Sequence, residues 1–379
     1  MRRAVLAMVF FVACSCLPSP PSCAWAGFPA EEDEKRLWHR SEEEERILDS
    51  SGYIYRSKEL EAYLDAVARK LVPPEQFEWV AVSVAIIMNP RLNAFSFANG
   101  RVYVSSGLLA AMENEAQLAT LLGHELSHVT GRHMLRELRD AKSKMAISGI
   151  LGALTGNVIL PFGQLGALAS TKGFSRERET EADAEGLRRM VQAGYDPAEA
   201  PKLFAILLRE VREEKIDEPF FFASHPKLKE RLENWENLLK TTYAGTRGGV
   251  KESDRFMRAI APLLLDNAEL DLKAGRIATA RRAIARYLAL AEENARGLYL
   301  LGETYRQGGE KQGPAAAKEC YLKAVALDPA YPDPYRGLGF AASRLNDREL
   351  ARKSFERYLE LSPRAPDHGY IEEMLKRMP

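Results

Sequence analysis

The sequence predicts an α+β protein, in which a mostly helical domain with a small β-sheet is followed by an all-α repeat domain. The sheet is predicted by the β-branched run from Val80 to Ile87 and by the Asn99-Gly100 hairpin signal that follows it. The repeat domain is predicted by a segment near the C-terminus that matches a second segment further along the chain. At 379 residues, the chain is long enough for two or three domains.

Composition places the chain among ordinary globular proteins and excludes several other classes. Hydrophobic residues make up 46% and charged residues 28%, which excludes a disordered, collagen-like or multi-span membrane protein. The 53 basic residues balance 53 acidic ones, so no overall field attracts nucleic acid. Only four cysteines are present, and Cys14, Cys16 and Cys23 all lie near the N-terminus, which excludes a disulfide scaffold.

Residues 1–26 are predicted to be a secretory signal peptide. Two arginines precede a short apolar run, and Ala24-Trp25-Ala26 fits the small-x-small rule for cleavage. The run is too short to span a bilayer comfortably, which disfavours a membrane anchor. Lipidation at Cys14 or Cys23 stays open as an alternative. The mature protein is therefore expected to be exported.

Local patterns predict the elements of the first domain in chain order. Charged clusters within 27–60 indicate a solvated helical face, and Leu60–Leu71 carries apolar residues at helical spacing. The strand at 80–87 comes next, with hairpin strands at 94–97 and 101–104 after it. A helical pattern then runs from Leu108 to Leu138, with an interruption near Asn114, which can cap a second helix.

The segment 145–170 contains no charged residue and would be long enough to span a membrane. Its several glycines and Pro161 instead favour a buried or membrane-facing hairpin. Peripheral contact with a membrane therefore stays open for this part of the chain.

The C-terminal part of the chain is built from repeats. After a linker at Thr241–Ser253, the stretch from Ala317 to Pro329 matches the stretch from Ala351 to Pro363. The spacing between them is that of the helix pairs in a tetratricopeptide array, and the region resembles such an array of about three repeats from Phe256 to Pro363. An array of this kind forms a concave surface that binds peptides or partner proteins, and a stabilising cap is the alternative. The expected domains are 1–26, 27–245 and 254–379.

The segment His124-Glu125-Leu126-Ser127-His128 carries the strongest chemical signal. On a helix, His124 and His128 lie on one face and can direct their imidazoles at one point. Two neutral imidazoles suit zinc, and Glu125 can act as the base toward an activated water. The alternative is a helix that carries two histidines by chance. The presence of a third ligand therefore decides between a metal site and a chance pair.

Two residues compete to be that third ligand. His133 would extend the motif to HExxHxxGxxH, the metzincin pattern, but the helical periodicity continues past Gly131 and no convincing Met-turn follows. On an unbroken helix His133 rotates off the ligand face, so it is expected at the surface or behind a ligand. Glu179 can instead complete the site, with Asp183 one turn later accepting the Nδ1–H of a ligating histidine.

The combination of HELSH, then SRERETEAD at 175–183, then Ser224-His225-Pro226 with Arg231 resembles the M48 zinc metallopeptidases. Asn93-Ala94-Phe95 and Gly107-Leu108-Leu109 extend that resemblance, which covers about Tyr53 to Leu239. It implies a gluzincin-type metalloprotease domain that precedes the tetratricopeptide repeat domain. It further implies one Zn²⁺ per chain and the following roles: His124, His128 and Glu179 as ligands, Glu125 as general base, His225 as a gate or transition-state group, and Arg231 as an organiser of the site. Asn93, Ala94 and Phe95 would bind substrate backbone by β-addition.

Exported members of this family that carry tetratricopeptide repeats imply a periplasmic function. We therefore expect a zinc-dependent endopeptidase that cleaves misfolded or stalled outer-membrane proteins as unfolded polypeptides. The repeats would recruit the substrate or the outer-membrane assembly machinery. The alternative is a chaperone or assembly adaptor whose protease site is latent or gated, with His225 as a fourth ligand that excludes water. No nucleic acid is expected as a partner.

Overall fold

The computed structural model describes residues 31–73, 80–143, 174–213, 228–246, 248–291 and 294–378. The predicted signal peptide, the uncharged segment 145–170 and His225 lie outside these residues. Among the described helices, none combines the length and the hydropathy needed to cross a membrane.

A four-stranded mixed sheet forms the β part of the first domain. The strands are β1 (Ile54–Tyr55), β2 (Ser83–Ile87), β3 (Ala94–Ser96) and β4 (Arg101–Ser105). Their order is β1-β2-β4-β3, in which β2 and β4 are parallel and the outer strands are antiparallel to their neighbours. The predicted hairpin is confirmed, because β3 pairs with β4 in a register that places Phe95 opposite Tyr103. Gly100 makes the turn with a φ of 101°, which favours glycine. Strand β3 therefore lies at an edge of the sheet.

Helices make up most of the described residues. Those of the first domain are α1 (Glu32–Ser50), α2 (Lys58–Lys70), α3 (Ser106–Ala111), α4 (Glu115–Thr130), α5 (His133–Ser143), α6 (Arg176–Gln192), α7 (Glu199–Glu213) and α8 (Leu228–Lys240). Asn114 caps α4 by accepting a hydrogen bond from the backbone N–H of Gln117, as predicted.

The prediction of an unbroken helix through His133 was wrong. Helix α4 ends at Thr130, Arg132 adopts a left-handed φ of 53°, and α5 begins at His133. Glycine at position 131 is required here, because a Cβ would lie 2.6 Å from the Nε2 atom of His133. The break turns the His133 ring back beneath the end of α4.

Two glycines allow α4 and α6 to approach closely. A Cβ on Gly186 would lie 3.0 Å from the backbone nitrogen of His124, and one on Gly123 would lie 3.1 Å from the carbonyl oxygen of Gly186. These distances are shorter than ordinary van der Waals contacts, so a side chain at either position would push the helices apart. The two helices that carry the predicted ligands are therefore packed nearly backbone to backbone.

The predicted repeat domain contains helices α9 to α15. They are α9 (Ser253–Lys273), α10 (Ile277–Leu290), α11 (Ala295–Gln307), α12 (Gly313–Leu327), α13 (Pro332–Arg344), α14 (Arg348–Leu361) and α15 (His368–Arg377). In the last two predicted pairs a small residue of the first helix faces an aromatic ring of the second, Gly302 against Tyr321 and Gly339 against Phe355. The sequence repeat thus corresponds to repeated close packing of helix pairs.

One buried apolar cluster crosses the predicted linker. It includes Leu122 of α4, Phe256 of α9 and Ile284 of α10, and it reaches Leu300. The linker itself is held against the first domain, since the N–H of Val250 donates to the carbonyl oxygen of Gly194 at 2.9 Å. The helix pair α9 and α10, which the sequence predicts as the first pair of the repeats, is therefore packed against the core of the preceding domain.

Candidate metal centre

His124, His128 and Glu179 lie together, as the sequence predicted. The Nε2 atoms of the two histidines are 3.0 Å apart. The Glu179 carboxylate lies 3.6 Å from His124 Nε2 through one oxygen and 3.4 Å from His128 Nε2 through the other. Within the described ranges this is the one group of three such side chains whose ligand atoms could share a metal ion. All three side chains are buried.

The opposite edge of the His124 ring faces a buried ion pair. Asp183 Oδ1 is 3.0 Å from His124 Nδ1, and Arg231 donates to both oxygens of that carboxylate at 2.6 and 3.2 Å. Burial acts to lower the pKa of Arg231, but Asp183 and Glu179 outweigh it, so this pKa lies above its ordinary value. The Phe204 ring covers the guanidinium, with 4.7 Å from its centroid to Cζ.

Arg231 Nη2 also lies 2.9 Å from His124 Nδ1, a contact that competes with Asp183 for the same nitrogen. When Nε2 binds a metal, the proton of the neutral ring is on Nδ1, and Nδ1 can then only donate. Asp183 is the acceptor in that state, and Arg231 acts on the ring through the carboxylate. Asp183 and Arg231 therefore occupy positions that suit their predicted roles.

Glu125 is held by a residue that the sequence did not single out. The hydroxyl of Ser96 donates to Glu125 Oε2 at 3.0 Å and lies 3.3 Å from its backbone oxygen. Ser96 is on the edge strand β3, and both side chains are buried. A serine within a short strand has no pattern that separates it from its neighbours, so only the fold reveals this contact.

The three predicted substrate-binding residues lie along β3 and the turn before it. Asn93 and Ala94 are buried, and the N–H of Asn93 donates to Ser105 Oγ at 2.9 Å. The Phe95 ring stacks on Tyr103 with centroids 5.1 Å apart, within a small apolar cluster. The side chains of Ala94 and Phe95 thus pack within the apolar clusters of the domain, which leaves the backbone of this edge strand as the part suited to β-addition.

His133 lies behind His128 and outside the metal-ligand group. Its Nδ1 is 2.8 Å from His128 Nδ1, and its Nε2 is 3.5 Å from Glu181 Oε2. The side chain is buried, and burial lowers its pKa against the opposing effect of Glu181. The Phe174 ring stacks on His128 with centroids 4.0 Å apart. This position disfavours the metzincin alternative, because the ring faces the far edge of a ligand.

Sequence comparison identifies both parts of the chain. Residues 55–239 match peptidase family M48, and residues 295–331 and 335–364 match a tetratricopeptide repeat. The chain is similar to the "Beta-barrel assembly-enhancing protease" of Escherichia coli (strain K12), with 29% identity over 202 residues, 51% of this chain and 41% of that protein. It is 30% identical over 184 residues to the "Mitochondrial metalloendopeptidase OMA1" of Schizosaccharomyces pombe, which is 47% of this chain and 52% of that protein.

A third relative is the "Putative beta-barrel assembly-enhancing protease" of Vibrio cholerae, which is 27% identical over 197 residues, 49% of this chain and 40% of that protein. The chain thus spans about half or less of the length of these relatives. The match at 55–239 contains α4 and α6, which carry the His-His-Glu group. The chain therefore contains a peptidase family M48 domain, and tetratricopeptide repeats follow it.

Proposed function

We propose that this protein is a zinc-dependent endopeptidase whose metal is held by His124, His128 and Glu179. The observation that carries the proposal is the spacing of their donor atoms, 3.0 to 3.6 Å. Zinc binds nitrogen and oxygen at about 2.0–2.1 Å in tetrahedral sites, for which donors lie about 3.3 Å apart. Two imidazoles and one carboxylate are also a usual ligand set for catalytic zinc.

The charges around this group support a divalent cation. Three buried carboxylates, those of Glu125, Glu179 and Asp183, surround it, and one buried guanidinium, that of Arg231, faces them. Buried charges are stable only when they are paired or bind a metal. A cation of charge +2 would balance the excess of two negative charges.

In the proposed reaction, Glu125 takes a proton from the attacking water and delivers it to the leaving amine nitrogen. Zinc supplies Lewis-acid activation when it is bound. Ser96 holds one carboxylate oxygen of Glu125, which limits rotation of the base. The edge strand β3 binds the substrate backbone through residues 93–95, and this mode of binding tolerates many side chains. Arg231 supports His124 through Asp183.

The physiological setting is proposed from the same sequence features. The signal-like residues 1–26 support export to the periplasm, and the printed names of the bacterial relatives support outer-membrane proteins as substrates. The repeats would recruit unfolded polypeptides or the assembly machinery. We retain 27–245 as the peptidase domain and 254–379 as the repeat domain, with α9 and α10 as the packed junction.

Glu125→Gln tests the mechanism. This variant should keep one zinc per chain and lose cleavage of denatured casein by about 10³-fold or more, because the amide cannot accept the proton. Glu113→Gln is the matched control, since Glu113 is exposed just before α4 and should leave both readouts unchanged. Unchanged turnover in Glu125→Gln would overturn the mechanism, and a wild type without zinc would overturn the metal site.

A gated or latent site is the second candidate, and the burial of Glu125 and all three ligands favours it. In that case the wild type should cleave casein poorly, and His225→Ala should increase turnover by opening the fourth coordination position. An active wild type that His225→Ala does not stimulate would argue against gating.

A further inference from the structure

We propose that His133 is a positioning residue that holds His128 in the tautomer and orientation needed to bind the metal. The inference rests on the proposed metal site. Nothing in the proposed chemistry itself requires His133, although it is buried at the first residue of α5, just after the metal-binding helix α4 ends.

The two edges of the His128 ring have different surroundings. Its Nε2 faces His124 and Glu179, so its Nδ1 must point away from the metal position. When Nε2 binds a metal, the neutral ring carries its proton on Nδ1. The atom that lies 2.8 Å from this nitrogen is His133 Nδ1, at the distance of a good hydrogen bond.

Because His128 donates, His133 Nδ1 has to accept. The proton of His133 is then on Nε2, which lies 3.5 Å from Glu181 Oε2. That carboxylate is itself held by Arg136 at 2.9 Å. His133 Nδ1 therefore faces the ligand, and His133 Nε2 faces an acidic residue at the surface.

The backbone just before His133 supports this arrangement although its conformation is energetically unfavourable. Arg132 adopts φ of 53°, a conformation that is unfavourable for a residue with a side chain. Its guanidinium pairs at 2.9 Å with the buried Glu34 of α1, which stabilises the turn. Gly131 provides the space for the His133 ring. The local turn and a distant helix thus act together to place a single imidazole behind His128.

Two other roles for His133 make different predictions. A metal ligand would direct a nitrogen into the group formed by Nε2 of His124 and His128, but His133 faces the far edge of the His128 ring. A core residue that only fills space could be replaced by leucine without affecting the metal. A positioning role instead requires a hydrogen-bond acceptor at the place that His133 Nδ1 occupies.

The test compares His133→Leu with His133→Asn in the full chain, using zinc alone as the probe and competition with a chelator as the readout. The leucine variant should bind zinc about 10- to 100-fold more weakly, the usual effect of losing such a supporting group. The asparagine variant should stay within about threefold of the wild type, because its side-chain oxygen can occupy the Nδ1 position. His39→Leu, on the exposed surface of α1, is the control.

Wild-type affinity in His133→Leu would overturn the proposal, as would equal losses in the leucine and asparagine variants. If the leucine variant does not fold, ¹⁵N NMR of the imidazoles in the zinc-loaded wild type reads the tautomers directly. We expect protonated Nδ1 on His128 and unprotonated Nδ1 on His133, and the reverse pattern would refute the inference. A wild type that binds no zinc would instead refute the proposed metal site.

Discussion

The two histidines of the metal centre are supported in physically different ways. Behind His124 lies an ion pair, in which the Asp183 carboxylate accepts two hydrogen bonds from Arg231. Behind His128 lie uncharged rings, the imidazole of His133 and the stacked phenyl ring of Phe174. Both histidines are equally well buried, at 1% and 3% exposure, so the difference is one of chemistry and not of depth.

This difference determines how each side should respond to substitution. Removing one member of a buried ion pair leaves an uncompensated charge in a medium that solvates it poorly. Removing a neutral hydrogen-bond partner or a stacked ring loses only that contact. Substitutions behind His124 should therefore cause large losses of stability, whereas substitutions behind His128 should cause smaller losses.

The largest effect is expected for Arg231→Met. It leaves the Asp183 carboxylate buried without its cation, which should lower the free energy of unfolding of the metal-free protein by about 3–5 kcal/mol. Urea denaturation followed by tryptophan fluorescence measures this loss. The double variant Asp183→Leu/Arg231→Met should recover more than half of it, since no unpaired charge remains. Equal losses in the single and double variants would contradict the ion-pair explanation.

Removal of the metal should destabilise the surroundings of both His124 and His128, because one ion would bind to both histidines. At a free zinc concentration 100 times the dissociation constant, binding stabilises the folded state by about 2.7 kcal/mol. Calorimetry should therefore show a lower melting temperature after chelation, restored by added zinc. In Glu179→Gln the shift should shrink, because a carboxamide is a weaker ligand than a carboxylate. A shift of the same size in that variant would argue against Glu179 as a ligand.

Ser96→Ala probes a contact that belongs to neither histidine. Hydrogen bonds to charged groups contribute about 1.5–3 kcal/mol, so kcat should fall roughly tenfold or more while KM and zinc content stay unchanged. Ser96→Thr keeps the hydroxyl and should restore much of kcat. A rise in KM alone would place Ser96 in substrate binding instead.

Phe174→Leu should have the smallest effect. The stacked contact is worth about 0.5–1.5 kcal/mol beyond simple burial, which corresponds to roughly two- to tenfold weaker zinc binding. Chelator competition detects a change of this size. Phe340→Leu removes a comparable ring in the repeats and serves as the control. An effect as large as that of His133→Leu would show that stacking, and not the hydrogen bond, dominates on this side.

Sequence patterns predicted the parts of this protein that depend on the spacing of residues close together in the chain. The i, i+4 pairs on α4 and α6, the Asn99-Gly100 hairpin and the tetratricopeptide period are all set by helix or strand periodicity. Their positions follow from neighbouring residues, so they could be found in the sequence.

The features that were missed depend on contacts between distant residues. After α4 ends at Thr130, Arg132 adopts a left-handed conformation that no residue preference predicts, and it pairs with Glu34 from the first helix of the domain. The close approach of Gly123 and Gly186 and the hydrogen bond from Ser96 to Glu125 likewise join separate elements. Such contacts appear only when the chain is folded.

The apolar cluster that joins α9 and α10 to the peptidase domain has a consequence for the order of synthesis. Phe256 and Ile284 lie in the same cluster as Leu122, but they leave the ribosome long after it. Domains fold as units once their residues are available. The peptidase core therefore cannot be completed until synthesis has passed Ile284, and a nascent chain carries its metal-binding residues for some time before the core that encloses them is complete.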